Sequence, residues 1–304
     1  MNTALSLNVL NKVAAIVVTY NRKKLLLKNI KALQAQTCKN KLDILIIDNA
    51  STDGTYELIK ALIDDEEIIY INTHKNLGGA GGFNFGMRKA AELGYKYMWI
   101  MDDDTIPTVT ALENLLIEDK KLKGNYGFLS SRVLWKDGNI CKMNVQKINK
   151  WKRLTNFKSE VNVQYASFVS LFIPTKVVKK VGLPYKEFFI WSDDWEYTRR
   201  ISQKYICKYV PNSVVNHWSG SNVGADIVDA PQDRINRFKY LFRNDVVLYR
   251  LDGFEGKMYL NLRIIKYVVK ILVKGKNKKQ RLHIMFSALK KGKSFYPQID
   301  YIRE

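Results

Sequence analysis

The sequence predicts an α/β protein: a mostly parallel central sheet with helices on both faces, followed by a C-terminal helical region rich in basic residues. Three observations lead there. Short apolar runs alternate with segments of helical spacing through the first hundred residues, the pattern of strands joined by crossover helices. Hydrophobic residues make up 46% of the 304-residue chain and charged residues 26%, near globular averages, which excludes a disordered, collagen-like or coiled-coil chain. Lys and Arg number 50 against 29 Asp and Glu, a formal charge of +21, of which Lys257 to Glu304 supply +11 through 13 basic residues against Asp300 and Glu304. An anionic partner is expected, whether nucleotide, nucleic acid or acidic membrane.

The first strand is placed at residues 13–19, closing at Tyr20-Asn21-Arg22, and a helix over 23–35 carries Leu and Ile at helical spacing. A second buried strand over 43–47 ends in Asp48-Asn49-Ala50-Ser51-Thr52-Asp53-Gly54-Thr55, whose cap-type residues feed a helix over 56–63. Strands follow at 68–71 and 97–101, separated by a Gly-rich helix start over 78–91. Ligands of such sheets bind beyond the carboxyl ends of the strands, so the loops at 19–22, 48–53, 74–82 and 102–104 should converge. After Leu122 the regularity fades. Strands are expected at 125–134, 163–173 and 210–216, with a polar segment over 135–160 and an aromatic stretch passing through an acidic turn into a helix over 185–201. From Asp226 the chain turns helical and basic, so the boundary falls near Gly224, giving a ligand-binding and catalytic domain over 1–224 and a helical region over 225–304.

Cys38, Cys141 and Cys207 are odd in number and lack CxxC spacing, which argues against a disulfide framework or zinc cluster and fits a reducing compartment. The N-terminal segment lacks a basic n-region and a clean cleavage site, and no stretch reaches the ~18 apolar residues of a membrane span. Membrane contact is therefore expected from the side. Arg263, Lys266, Lys270 and Lys274 fall at helical spacing beside Tyr259, Leu262, Ile265, Val269 and Leu272, the pattern of an interfacial amphipathic helix. An oligomer-forming or solvated helix is the competing reading.

The strongest chemical signal is Asp102-Asp103-Asp104 after the apolar run Trp99-Ile100-Met101. Three adjacent carboxylates at a buried strand end repel one another unless a cation neutralises them, and oxygen ligands suit Mg²⁺ or Mn²⁺ bridging nucleotide phosphates. Asp48-Asn49 ends a strand at the same edge, where a carboxylate or amide can meet a base or ribose, with Thr19 and Arg22 lining the other side. The glycines of Asn76-Leu77-Gly78-Gly79-Ala80-Gly81-Gly82-Phe83 admit either a phosphate or tight helix-on-sheet packing, and their spacing rejects a dinucleotide fingerprint. In Trp191-Ser192-Asp193-Asp194-Trp195-Glu196, aromatics desolvate carboxylates and can stack on a sugar, so Asp194 is a candidate general base; Ser192 or Asp193 as a plain helix cap is the alternative. His217, at a strand end before Trp218-Ser219-Gly220, either completes a metal shell or is a packed histidine.

In this order, Ile16 to Arg22, Ile47 to Thr55, Asn76 to Phe83, Asp102 to Asp104 and Trp191 to Glu196 resemble a family 2 glycosyltransferase of the Rossmann-like GT-A fold over roughly residues 13–220. The Gly-rich stretch and the triple Asp resemble especially bacterial galactofuranosyltransferases and rhamnosyltransferases. The resemblance implies Mn²⁺ or Mg²⁺ on Asp102, Asp104 and His217, and a donor nucleotide sugar met by Thr19, Arg22, Asp48 or Asn49, Gly79, Gly81 and Asp103. It further implies Asp194 as base and Trp191, Asp193, Trp195 and Glu196 on the acceptor. Many relatives carry two acids where this chain has Asp48-Asn49, leaving open which of the pair touches the base. The expected donor is UDP-galactofuranose first and dTDP-rhamnose second, the acceptor a glycan or lipid-linked glycan, and the location the cytoplasmic face of a bacterial plasma membrane.

Two other classes compete. A metal-dependent nucleotidyltransferase also uses clustered aspartates but has no need of the second acidic-aromatic segment. A non-enzymatic nucleic-acid binder would account for the charge, yet the aromatics do not interleave with the basic tail and the acidic loops would repel phosphate, so nucleic acid is not an expected partner.

Overall fold

A computed structural model describes residues 12–302; the N-terminal segment's first eleven residues, read above for a leader, lie outside them, as do residues 303 and 304. Strand β1 (Val13–Thr19) sits centrally, and its period of two sorts side chains to opposite faces. Ala14, Ile16 and Val18 enter a core with Phe83, Met87 and Ala90, while Val13, Ala15 and Val17 enter another with Leu26, Ile30, Leu33, Leu112 and Leu115. Those partners come from α1 (Lys23–Gln34), α3 (Gly78–Glu92) and α4 (Ala111–Leu122). Helix α2 (Thr55–Asp64) follows strand β2 (Leu42–Asp48) and precedes β3 (Ile69–Asn72).

The sheet order is β3-β2-β1-β4-β8-β6-β9-β5, with β4 Tyr97–Asp102, β5 Thr105–Pro107, β6 Leu129–Trp135, β8 Leu171–Pro174 and β9 Lys208–His217; β7 (Val161–Asn162) pairs with β9 off this path. The first four strands run parallel, but β8 is antiparallel to β4 and to β6, and β5 and β7 are antiparallel to β9. Parallel pairing therefore runs unbroken through the N-terminal half, where crossover helices enforce it, and recurs between β6 and β9. β6 and β9 shift register between Ser131 and Arg132, opposite Pro211, which has no N–H for the ladder.

Some elements lie beyond the sequence reading. Helix α4 and helix α5 (Thr175–Val181) fall where no element is assigned, and β5 and β7 are too short to show a period. The expected strand over 163–173 shortens to β8. Helix α6 (Asp193–Ser202) carries the second acidic segment. Helices α7 (Phe238–Arg250), α8 (Gly253–Lys274) and α9 (Lys278–Lys293) enclose their own core of Ile227, Phe238, Phe242, Ile271, Met285 and Leu289. Asp252 joins them to the sheet domain, accepting from Arg199 at 2.6 Å and pairing with Lys150 at 3.3 Å. No helix among the described residues is long and apolar enough to cross a membrane.

The tail departs from the basic stripe read in the sequence. Arg263 turns inward to Asp245 at 2.8 Å and Lys270 pairs with Asp226 at 2.6 Å, leaving Lys266 and Lys274 outward. The apolar stripe is the exposed feature: Met258, Leu262, Ile265, Val269, Leu272 and Val273 all face out, whereas Tyr259 packs on Trp151 and Tyr249.

Candidate active site

The loops at the carboxyl ends of β1, β2 and β4 converge. Asn21 N donates to Ser51 Oγ at 2.9 Å, Thr52 N to Asn21 Oδ1 at 2.7 Å, and Asn49 Nδ2 to the Gly78 carbonyl at 3.0 Å. From β1, Thr19 Oγ1 donates to Asp103 Oδ2 at 2.8 Å, and Arg22 contacts Asp104 and, at 3.6 Å, Asp103.

β5 brings the acidic trio to His217. The strand starts directly after Asp104 and pairs Thr105 with His217, so the ligand atoms of Asp102, Asp104 and His217 lie within 4.8 Å of one another. Burial, with Asp104's charge adding, raises Asp102 to about 6 and Asp103 to about 7. Asp104 moves down because His217 and Arg22 outweigh its burial. His217 rises to about 10 against its burial, held by Asp104, Cys141 and Asp102.

Asn144 fixes the imidazole. Its Nδ2 donates to Ser167 Oγ at 3.0 Å, so Oδ1 faces His217 Nδ1 at 2.8 Å and accepts its proton. That turns Nε2 toward Asp104 Oδ1 at 3.1 Å, and no other group among the described residues meets this buried oxygen. A buried carboxylate oxygen facing an oriented imidazole, with a second carboxylate alongside, fits a divalent cation with mixed oxygen and nitrogen ligands. Neither Asn144 nor Ser167 was singled out from sequence; an isolated Asn in a polar segment carries no motif.

The second acidic segment lies within electrostatic reach of the first, since Asp102 raises both Asp193 and Asp194. Burial comes first among the causes, lifting Asp193 to about 7 and Asp194 well above the carboxylate range, with Asp193 adding to the latter. Ser192 occupies the N-cap position of α6 but makes no side-chain capping bond there: its hydroxyl donates to Asp245 Oδ1 at 2.8 Å. Phe189, Trp191 and Ser192 hold φ of 65°, 66° and 64°, costly for residues with a Cβ. The buried Asn244 of α7 secures this turn by donating to the carbonyls of Phe188 (3.0 Å), Ile190 (3.2 Å) and Trp191 (2.9 Å).

Several residues assigned above to ligand contacts are occupied internally. Both oxygens of Glu196 accept from Arg200 at 2.9 and 3.0 Å, and the side chain is fully buried, so it braces α6 and is not presented to an acceptor. Trp191 packs on Phe238. Asp48 accepts from Ser51 N at 2.8 Å and Tyr70 Oη at 2.7 Å, and Asn49 holds Gly78. A Cβ on Gly81 would meet Leu77 at 2.7 Å, and Gly82 packs on Val18, so these serve close packing; Gly79 faces open space. Gly78, at φ +70°, lets the chain pass the Phe189 carbonyl.

Three comparisons bear on the family and the fold. The family model for glycosyl transferase family 2 matches residues 14–181, more than half of the chain, which therefore belongs to that family. The galactofuranosyltransferase GlfT1 of Mycolicibacterium smegmatis is 27% identical over 62% of this chain, which spans 65% of that relative's length. The glucosyltransferase WfaP of Escherichia coli, named for UDP-Glc and α-D-GlcNAc-diphosphoundecaprenol, is 26% identical over 78% of this chain and 85% of its own. Among solved structures, the mannosyltransferase PcManGT of Pyrobaculum calidifontis, with GDP-Man and Mn²⁺, superposes with a TM-score of 0.56 at 16% identity over 94% of this chain and 76% of its own. The fold is that of the GT-A glycosyltransferases.

Proposed function

We propose that this chain is an inverting, metal-dependent hexosyltransferase moving galactofuranose, or else rhamnose, from its nucleoside diphosphate to a lipid-linked glycan or growing surface polysaccharide. The observation that carries the reading is the buried cluster in which the ligand atoms of Asp102, Asp104 and the oriented His217 lie within 4.8 Å of one another, Asp104 Oδ1 being met by His217 Nε2 alone among the described residues. Asp102, Asp104 and His217 would hold Mn²⁺ or Mg²⁺, which supplies Lewis-acid stabilisation of the departing diphosphate. Thr19 and Arg22 position Asp103 toward the donor sugar. Asp194 takes the acceptor hydroxyl proton as that oxygen bonds to the anomeric carbon, the carbon–oxygen bond to the diphosphate breaks, and the nucleoside diphosphate leaves. Desolvation equips Asp194 for this by making it more basic. The GlfT1 and WfaP relatives support a galactofuranosyl or other hexosyl donor and a diphosphate-linked lipid acceptor.

The helical segment over 225–302 is read as a module that rests on an anionic membrane through the exposed apolar face of α8, flanked by Lys266, Lys274 and the lysines of α9. On this reading the enzyme works at the inner face of a bacterial plasma membrane. Calorimetry with UDP and Mn²⁺ tests the donor site: Asp104→Ala should abolish metal-dependent binding, and unchanged binding refutes the assignment. A screen of nucleotide sugars for thermal stabilisation selects the donor. Sedimentation with phosphatidylglycerol vesicles at low salt tests the helix; failure to sediment refutes the membrane reading and leaves a solvated or oligomer-forming helix.

A further inference from the structure

Lys147 is 4% exposed, and among the described residues its ammonium makes no hydrogen bond or ion pair. It lies instead over the Trp195 ring, 3.7 Å from the centroid, with Tyr165 at 5.7 Å and Tyr259 at 5.8 Å. A buried cation held only by aromatic faces is poorly compensated. Burial, then Arg263 and Arg153, push it down to about 7, while Asp245 and Asp194 favour its charge. Arg263 stands beside it, anchored through Nε to Asp245 at 2.8 Å, and its two terminal amino groups form no hydrogen bond among the described residues. Trp195 directly follows Asp194, and Asp194 acts electrostatically on Lys147, so this cationic pair borders the proposed base.

We propose that Lys147 and Arg263 form an anion subsite, roofed by Trp195 and Tyr259, that takes the diphosphate of a lipid-linked acceptor. The inference rests on the acceptor class proposed above. A diphosphate supplies the acceptors that Lys147's ammonium and Arg263's free amino groups lack, with bidentate geometry available to the guanidinium. Helix α8 connects the parts: Tyr259 and Arg263 point inward, while Leu262 and Ile265 face outward, so a prenyl chain leaving the subsite reaches the surface proposed to meet the bilayer.

The test uses the full chain without metal, in EDTA, with farnesyl diphosphate as probe and farnesol as the uncharged control. Wild type should bind the diphosphate and not the alcohol. Lys147→Met should weaken that binding by about tenfold or more, and Lys147→Arg should retain it. Lys147→Gln replaces the Met variant if melting shows the latter unfolded. Equal affinity of wild type and the charge-free variant overturns the subsite, as does a parallel loss of UDP–Mn²⁺ binding, which would move Lys147 to the donor side. If UDP–Mn²⁺ fails to bind wild type while farnesyl diphosphate still requires Lys147, the donor reading falls and the subsite stands.

Discussion

Asn144 Oδ1 sits 2.8 Å from His217 Nδ1, and the rotamer of that amide is set by Ser167. Partners of this kind hold a metal-binding imidazole in one tautomer and orientation, and their loss typically weakens metal affinity about 10- to 100-fold. Asn144→Leu should therefore raise the dissociation constant for Mn²⁺ by that order, read by titration of the free-Mn²⁺ resonance, with UDP affinity in EDTA unchanged.

Asp194→Asn should lower turnover by ~10²-fold or more while nucleotide binding persists. Because burial and Asp193 raise this carboxyl, the acid limb of the turnover profile should lie well above the ordinary carboxylate range. Near-normal turnover in the variant removes Asp194 from the chemistry.

The cluster also sets how stability responds to pH. Asp102, Asp103 and Asp193, at about 6, 7 and 7, bind protons more tightly in the folded than in the unfolded chain. Their contribution is complete below about pH 4 and lost as pH rises toward 7, and His217, at about 10, extends the decline into the alkaline range. The metal-free melting temperature should fall across that span, and Mn²⁺ should flatten the fall.

Glu196 and Arg200 are both buried, and the guanidinium also donates to the carbonyls of Val181 at 2.8 Å and Leu183 at 3.0 Å. Arg200→Met leaves a carboxylate buried without its partner and should cost about 3–5 kcal/mol in urea unfolding. A loss below 1 kcal/mol would return Glu196 to the list of groups free to bind an acceptor.

Asn244→Ala removes one donor group shared by three carbonyls of a turn with positive φ. The expected cost is about 1–3 kcal/mol in thermal unfolding, accompanied by a higher acceptor KM with donor KM unchanged. Equal acceptor KM in the two proteins would show that the turn keeps its shape unaided.

What could be read in advance follows a physical divide. The strand–helix alternation of the first hundred residues and the convergence of their loops follow from local periodicity and the topology it enforces, whereas the meeting of Asp102 and Asp104 with His217 depends on β5, which shows no period, and was expected from the family resemblance. The two-faced role of β1 was legible because its run is apolar almost throughout, as a strand buried on both faces requires. Asn144, Asn244 and Lys147 were not legible, because each acts on a partner 48 or more residues distant through polar or aromatic contacts that leave no spacing to detect. For the same reason Glu196 read as a ligand: its partner Arg200 lies one helical turn on, but only the packed fold shows that both are sealed from solvent.

The three-pronged grip of Asn244 on the turn at 188–191 means that the scaffold for the acid pair is not finished when the sheet is complete. It is templated by a helix beginning some fifty residues downstream. Grafting the terminal helices of one relative onto the sheet of another would therefore re-aim Asp193 and Asp194, so swaps at that seam offer a route to new acceptor preference with the donor pocket left as it was.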